Sequence, residues 1–456
     1  MSQTAVPLGY ATANLPRYTS YPTAPHFAPL SEAEYRGWLG TVGAEDALSV
    51  YVHVPFCRSL CWYCGCHTAV TRSEARIRRY GAALRREAAL LAAALPAAHG
   101  GLAALHLGGG TPSMLGPAEM RALLAALRAE FGVRPKGEQV AELAAELDPR
   151  VLDEATVEAL AEGGISRVSL GVQDISPEVQ RRIGRVQPTD CVALAVERLR
   201  RAGIAGINLD LMYGLPTQTA AHVAASARFA AALGASRVAV FGYAHVPWMK
   251  PHQNAIRTEA LPGALERLRQ AEAAEAVLLG AGYRAIGLDH FARPDDSLAV
   301  AVAAEAGRLR RNFQDYTTDA APVLLGLGAS GIGSIATAGG ACGYAQNLPD
   351  ERAWLAAVEG GSLPVRRGRA LTPEDRLRRH LIERVMCDFA LDLDAVPAPV
   401  LEAARPGLEG LARDGILRLT PGRLRLTETG RRHVRHVAAC FDAYLATGAA
   451  RHSAAV

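Results

Sequence analysis

From residue 48 onward the chain alternates short, nearly all-apolar runs with longer stretches whose apolar residues recur every three or four positions. The runs at 49–54, 103–107, 139–147, 166–172, 206–212 and 237–243 predict strands. The periodic stretches at 77–95, 118–131, 152–163, 177–183, 191–202 and 220–233 predict helices. Strands alternating with helices pair in parallel through right-handed crossovers. Strands so continuously apolar are covered on both faces. The pattern therefore predicts an α/β fold built on a partial (β/α)6 barrel, with an open doubly wound sheet as the second arrangement.

Outside this series the pattern changes twice. Residues 1–45 carry little periodicity and read as an arm, either packed on the surface or closing over a site. Past the sixth strand, 283–289 predicts one more strand, leading into His290-Phe291-Ala292-Arg293-Pro294. Residues 324–334 are apolar and dense in glycine, so the backbone there comes close to a ligand or another element. From about residue 347, helices at 373–389 and 399–414 precede a β-like pair at 417–419 and 424–426 and a last helix at 428–445. The expected organisation is an arm (1–45), an α/β catalytic domain (46–345) and a mainly helical C-terminal domain (346–456).

Composition narrows the function classes. The 456 residues are 50% hydrophobic and 21% charged, enough apolar material for a substantial core. Lys and Arg number 49 against 45 Asp and Glu, and a net +4 does not argue for a nucleic-acid surface. Residues 1–27 lack an apolar run, and the most apolar stretch, 82–98, contains Arg85, Arg86 and Glu87. Neither a secretory leader nor a membrane span is expected, and the reading is a cytoplasmic protein. In that compartment clustered cysteines favour metal or redox chemistry over disulfides.

Four of the eight cysteines, Cys57, Cys61, Cys64 and Cys66, fall within ten residues directly after the first strand. The other candidate groups also follow strands. Gly108-Gly109-Gly110-Thr111-Pro112 exposes main chain to a ligand, and Glu146-Leu147-Asp148-Pro149 brings carboxylates. Gly171-Val172-Gln173-Asp174 ends the fourth strand, with Arg185 beyond it, and Asp210 lies on the fifth. Any one of these has a structural explanation, a turn or a helix cap. Gathered at one end of parallel strands, they describe a ligand site. Structural zinc pairs two cysteines with a second, distant pair, which is missing here. Thiolates at Cys57, Cys61 and Cys64 can hold three irons of a cubane cluster and leave the fourth open, whereas electron carriers close all four. Cys191, Cys342, Cys387 and Cys440 are scattered and read as buried packing.

The C-x3-C-x2-C spacing resembles that of the radical S-adenosylmethionine superfamily. Several further stretches resemble the oxygen-independent coproporphyrinogen III oxidase (coproporphyrinogen dehydrogenase) family within it. They are Arg17-Tyr18-Thr19-Ser20-Tyr21-Pro22-Thr23-Ala24, Tyr51-Val52-His53-Val54-Pro55-Phe56-Cys57, Cys64-Gly65-Cys66, Tyr213-Gly214-Leu215-Pro216, Tyr243-Ala244-His245 and Asp289-His290-Phe291-Ala292. The likeness runs over nearly the whole chain and is weakest at the C-terminal end.

This resemblance implies a radical-SAM-type barrel in which Cys57, Cys61 and Cys64 ligate a [4Fe-4S] cluster. It implies one S-adenosylmethionine at Tyr51, Tyr63, Gly109, Glu146 and Ile332, and a second at Gly110, Thr111, Gln173, Arg185, Asp210 and Ala244. Cys66 and Tyr63 are the implied catalytic residues, with Tyr63 stacking on adenine. The implied reaction uses a 5′-deoxyadenosyl radical to convert two propionates of coproporphyrinogen III to vinyl groups, giving protoporphyrinogen IX in haem and porphyrin biosynthesis. A flavodoxin or ferredoxin is the implied electron donor, and a monomer without nucleic-acid or membrane partners is expected. One departure is Gly242, where the pattern has Asn. A substrate with four propionates needs cationic partners; Arg293 and Arg311 are the chosen clamps, with Arg17, His290 and Arg310 nearby.

Two other readings compete. Haem-delivery relatives keep the cluster motif without the oxidase reaction, but typically lack both Cys66 and the arm motif. A zinc-stabilised α/β protein lacks a reason for the Gly109–Glu146–Asp210 constellation.

Overall fold

The computed structural model describes residue 7 and residues 9–132, 142–304 and 306–445. Six parallel strands form its centre: β1 (Leu48–Val54), β2 (Leu102–Gly109), β3 (Leu143–Leu147), β4 (Arg167–Gln173), β5 (Gly206–Tyr213) and β6 (Arg237–Gly242). They lie side by side in chain order. The strand expected at 139–147 is found from residue 143, and residues 139–141 lie outside the described residues. Helices Glu74–Ala92, Gly116–Phe131, Glu154–Glu162, Thr189–Arg201 and Ala220–Ala232 make the crossovers. Their starts are local chemistry: Ser73, Asp153 and Thr219 each accept a main-chain N–H of the first turn. β1 is buried along nearly its whole length, as its apolar run requires.

The sheet does not close. Beyond β6 it continues antiparallel through β8 (His290–Ala292) to β7 (Arg284–Ile286). Beyond β1 it continues through β9 (Val323–Leu327), parallel to β1, and then antiparallel through β10 (Ile332–Ala336), β11 (Cys342–Asn347) and β12 (Val365–Ala370). The single strand expected at 283–289 is instead β7 and the turn that leads to β8; Gly287, at φ +54°, turns the chain against the Tyr316 ring. The close approach expected at 324–334 is present: a Cβ on Gly326 would stand 2.5 Å from the Ile332 carbonyl carbon. The turn after β9 is tied to the helix Glu74–Ala92. Glu87 accepts Gly328 N–H at 2.7 Å and Asn347 Nδ2 at 2.6 Å, and Tyr80 Oη accepts Ala329 N–H at 2.9 Å while donating to His53 O at 2.9 Å. These bonds fix the end of β1, from which the cysteine loop departs.

A second apolar core holds the C-terminal region together. Helix Pro373–Asp388 ends at Phe389, in left-handed conformation, and helix Ala398–Arg413 follows. The β-like pair acquires a third strand, Ala390–Asp392, which sequence alone does not reveal because it is three residues long. The helix expected at 428–445 is shorter, a 3₁₀ turn Thr429–His433 and a helix Val434–Ala439, because the backbone at His433 (φ −102°, ψ 14°) leaves helical geometry. The arm packs on this core. Tyr18 and Tyr21 are buried in it, Tyr18 Oη donating to Asp442 at 3.0 Å and Tyr21 Oη accepting Ala443 N–H at 3.0 Å. The arm also contains a helix, Glu32–Leu39, whose Ser31–Glu34 capping box went unread in the sequence.

Candidate active site

The cysteine loop is held from two sides. Trp62 N–H donates to Ile183 O at 2.9 Å. From the segment after β6, Gln253 Nε2 donates to Tyr63 O (2.9 Å), His252 Nε2 meets Cys64 O (2.7 Å) and Lys250 Nζ donates to Cys66 O (2.8 Å). All eight cysteines are free thiols. Burial and the neighbouring sulfurs push Cys57 up to about 12. Cys66 hydrogen-bonds Cys64, which lowers the Cys64 thiol and raises that of Cys66.

Among the described residues, the one group of three metal-capable side chains with ligand atoms within 4.8 Å of one another is Asp289, His290 and Asp315. The loop cysteines are more widely set. A single zinc with bonds of about 2.3 Å draws its sulfurs to within roughly 4 Å. The donor set, three thiols not drawn together that closely, fits a cluster better than one ion. Two guanidiniums face it: Arg185 Nη1 lies 3.5 Å and Arg150 Nη2 3.6 Å from Cys61 Sγ, both braced by Asp148. Burial acts first on Asp148 and would raise its carboxyl, but the two arginines hold it below its ordinary value.

Next to the loop, the main chain after β2 forms a cradle. Gly109 adopts φ +115°, and a Cβ there would stand 2.8 Å from Val54 O. A Cβ on Gly110 would stand 2.7 Å from Phe56 O and Pro55. Both glycines are therefore required by the approach of the β1 exit, whose carbonyls Val54 O and Phe56 O accept the N–H groups of Gly110 (2.8 Å) and Thr111 (2.9 Å). Thr111 Oγ1 in turn accepts Asp148 N–H at 3.0 Å.

The strand ends bring polar groups in from β1 to β5. Tyr51 Oη lies 3.0 Å from His53 Nδ1, and His53 Nε2 lies 2.8 Å from His67 O. Since a carbonyl only accepts, His53 carries its proton on Nε2 and Tyr51 donates; burial lowers His53 to about 4 and keeps it neutral. Glu146 Oε1 pairs with His106 Nε2 at 2.8 Å; burial opposes ionisation, yet His106 and the Gly109 N–H hold the carboxyl below its ordinary value. Asp210 accepts Asn208 Nδ2 at 2.8 Å and is pushed up to about 7, first by burial and then by the charge of Glu146. Arg185 Nη2 donates to Gly171 O at 2.6 Å, and Gln173 sits in left-handed conformation (φ +67°) beside it. Among the described residues, the buried Arg185 Nε and Asn208 Oδ1 have no hydrogen-bond partner, as expected where a polar ligand completes the site.

Of the remaining sequence-derived residues, Tyr63 packs beside Val179, Ile183 and Tyr243 under the loop. Ile332 begins β10 against Gly326, whose strand partner is Tyr51. Ala244 lies past β6 and lines a cavity of about 470 Å³ shared with Arg17, Tyr213, Gly242, Asp289, His290 and Arg311. Arg293 is absent from that wall, half-exposed and 3.6 Å from Asp295, because the turn after β8 carries it away; Arg310 is directed to Glu383 instead. Gly242 has a local reason: a Cβ there would stand 2.9 Å from Tyr213 Oη. Cys387 is buried as expected, while Cys191, Cys342 and Cys440 are half-buried. Sequence reasoning missed Arg150, Lys250, His252, Arg267 and Arg435. Arg150 follows Asp148 closely enough to have been found; the others carry no local signal.

Residues 51–230 match the radical SAM superfamily and residues 371–433 the HemN C-terminal domain. The oxygen-independent coproporphyrinogen III oxidase of Bradyrhizobium diazoefficiens is 47% identical, over 98% of this chain and 99% of its own. The chain belongs to the oxygen-independent coproporphyrinogen III oxidase family. A member from Paracoccus denitrificans is 45% identical over 98% of both chains. The solved coproporphyrinogen III oxidase (HemN) of Escherichia coli, a radical SAM enzyme, superposes with a TM-score of 0.87 at 36% identity, over 97% of this chain and 100% of that one. Family membership makes this a radical SAM enzyme with an iron–sulfur cluster and S-adenosylmethionine. Among the described residues no helix is long and apolar enough to cross a membrane.

Proposed function

We propose that the chain catalyses oxygen-independent oxidative decarboxylation of coproporphyrinogen III to protoporphyrinogen IX, a step of porphyrin biosynthesis. The observation that carries this reading is the loop of three ligand thiols plus Cys66, set against a glycine cradle in a chain nearly half identical to named oxidases of this reaction. Each of two propionates gives up a hydrogen, an electron and CO2, and becomes vinyl. The cluster and S-adenosylmethionine, when bound, supply a carbon radical able to take a hydrogen from the substrate.

The chain's own residues bind and orient. Cys57, Cys61 and Cys64 hold the cluster. Tyr51, Tyr63, Gly109, Glu146 and Ile332 hold one S-adenosylmethionine, with the Gly109 main chain and the ionised Glu146 suited to its ammonium and hydroxyl groups. Gly110, Thr111, Gln173, Arg185, Asp210 and Ala244 hold a second; the unpaired Arg185 Nε supports an acceptor there. Cys66 is hydrogen-bonded to Cys64 and exposed, which supports a role in turnover instead of ligation, and Tyr63 fixes the nucleoside. A low-potential flavodoxin or ferredoxin is the donor, and the protein acts as a cytoplasmic monomer. The arm (1–45), catalytic domain (46–345) and C-terminal domain (346–456) remain the working division.

The test is anaerobic reconstitution with iron, sulfide, reductant, S-adenosylmethionine and coproporphyrinogen III. Two equivalents of CO2 and protoporphyrinogen IX are expected; tight haem binding without decarboxylation overturns the reading in favour of a haem-delivery role.

A further inference from the structure

The cavity beyond β6 contains no residue of the cysteine loop, yet six arginines line it, against four carboxylates. Two of those carboxylates, Glu272 and Glu275, are taken by Arg432, and Asp289 by His290 at 2.9 Å. The remaining cations come from segments far apart in the chain. Arg17 of the arm donates to Gly242 O at 3.2 Å. Arg267 donates to Tyr243 O at 3.0 Å with its guanidinium 5.6 Å from the Tyr213 ring. Arg311 lies 4.4 Å over Tyr316 and donates to Arg17 O at 3.3 Å as well as pairing with Asp315. Arg435 of the C-terminal region donates to Leu15 O at 3.4 Å. Carbonyls and rings orient Arg17, Arg267 and Arg435, and Asp315 pairs with Arg311.

Folding has thus gathered like charges in a half-enclosed space. Arg435 is held down at about 10, first by burial and then by Arg17, and burial and Arg17 likewise lower Arg267. An arrangement that repels itself is relieved by an anion, and planar guanidiniums take carboxylates with two parallel bonds. The tyrosines between them, Tyr213 and Tyr243, offer faces for a flat apolar body.

On the functional reading above, we propose that Arg17, Arg267, Arg311 and Arg435 form a receptor for the substrate carboxylates that survive the reaction. It seats the far edge of the macrocycle so that a propionate to be removed faces the cysteine loop. The C-terminal region thereby completes the substrate site through Arg435. Because Gly242 has no side chain, the space between Tyr213 and Arg267 stays open for the carboxylate.

The test uses full-length protein carrying Arg17→Gln or Arg435→Gln. Arg17 is exposed, so its variant folds even where the Arg435 change destabilises the C-terminal core. Fluorescence titration with coproporphyrin III (four carboxylates) and mesoporphyrin IX (two, the retained pair) should show both Kd values rising, about tenfold for Arg435→Gln and less for Arg17→Gln. The KM for coproporphyrinogen III should rise with them, while the Kd for S-adenosylmethionine stays fixed. Loss of coproporphyrin binding alone overturns the assignment to retained carboxylates. A rise in the S-adenosylmethionine Kd instead assigns the cavity to the cofactor's carboxylate and overturns the proposal, as does unchanged binding of both porphyrins. Wild-type protein that binds both porphyrins arginine-dependently but releases no CO2 overturns the functional reading and leaves the receptor standing.

Discussion

Arg185 bridges two parts of the site that are remote in sequence: its Nη1 lies 3.5 Å from the sulfur of Cys61. The same guanidinium bonds Asp148 and Gly171 O, so it is fixed before any ligand arrives. A fixed positive charge beside a thiolate ligand favours the more negative, reduced form of whatever the thiolates hold. Arg185→Gln is therefore expected to leave iron and sulfide content intact and to lower the cluster's reduction potential by tens of millivolts, 59 mV corresponding to tenfold for one electron. A redox titration followed by electron paramagnetic resonance checks this, and an unmoved potential would show the bridge to be purely structural.

The four loop cysteines should separate into two classes. Cys57→Ser, Cys61→Ser or Cys64→Ser is expected to abolish the iron–sulfur absorbance after reconstitution. Cys66→Ser should retain it while CO2 release falls by at least a hundredfold, the scale on which a positioned proton-transfer or redox group acts. Loss of the cluster in Cys66→Ser refutes the division.

The cradle glycines leave no room for a methyl group. Gly109→Ala puts a Cβ 2.8 Å from Val54 O at a backbone angle that L side chains avoid. The expected cost is about 1–3 kcal/mol of stability, read as a lower Tm, together with weaker S-adenosylmethionine binding by calorimetry. Gly65→Ala, with nothing within 4 Å of the new Cβ, is the control and should leave Tm within a degree or two.

Glu87 makes stability pH-dependent. Burial raises its carboxyl to about 8 in the folded chain, against about 4.3 unfolded. Between those values the folded state holds a proton that the unfolded state has lost, so stability falls as pH rises from about 4.3 towards 8. Gln cannot ionise and removes this dependence. The Tm difference between Glu87→Gln and wild type should therefore shift in favour of the variant on going from pH 5 to pH 8.5, even if Gln is worse at pH 5 for facing the Gly328 or Asn347 donor with its own N–H. A parallel pair of Tm–pH curves would refute it.

Much of this was readable along the chain. The apolar runs marked all six parallel strands, because a strand buried on both faces leaves few polar positions. The C-x3-C-x2-C spacing, the triple glycine and Glu146 marked the candidate site, because each is local and lies at or just past the end of a strand. The turn that splits 283–289 was not readable, since Gly287 breaks the run only in answer to the Tyr316 ring. Arg293 and Arg311 looked alike in sequence, but the turn after β8 sends one to solvent and β-pairing with Tyr316 buries the other.

The sequence by itself determined the six central strands, their parallel order and the cysteine spacing, because hydrophobic periodicity and short-range spacing are properties of neighbouring residues. Only the tertiary structure decided which cations share a cavity. Arg17 and Arg435 are 418 positions apart in number, and they meet because Tyr18 and Tyr21 bury the arm in the C-terminal core, a contact set by side-chain packing across the whole chain.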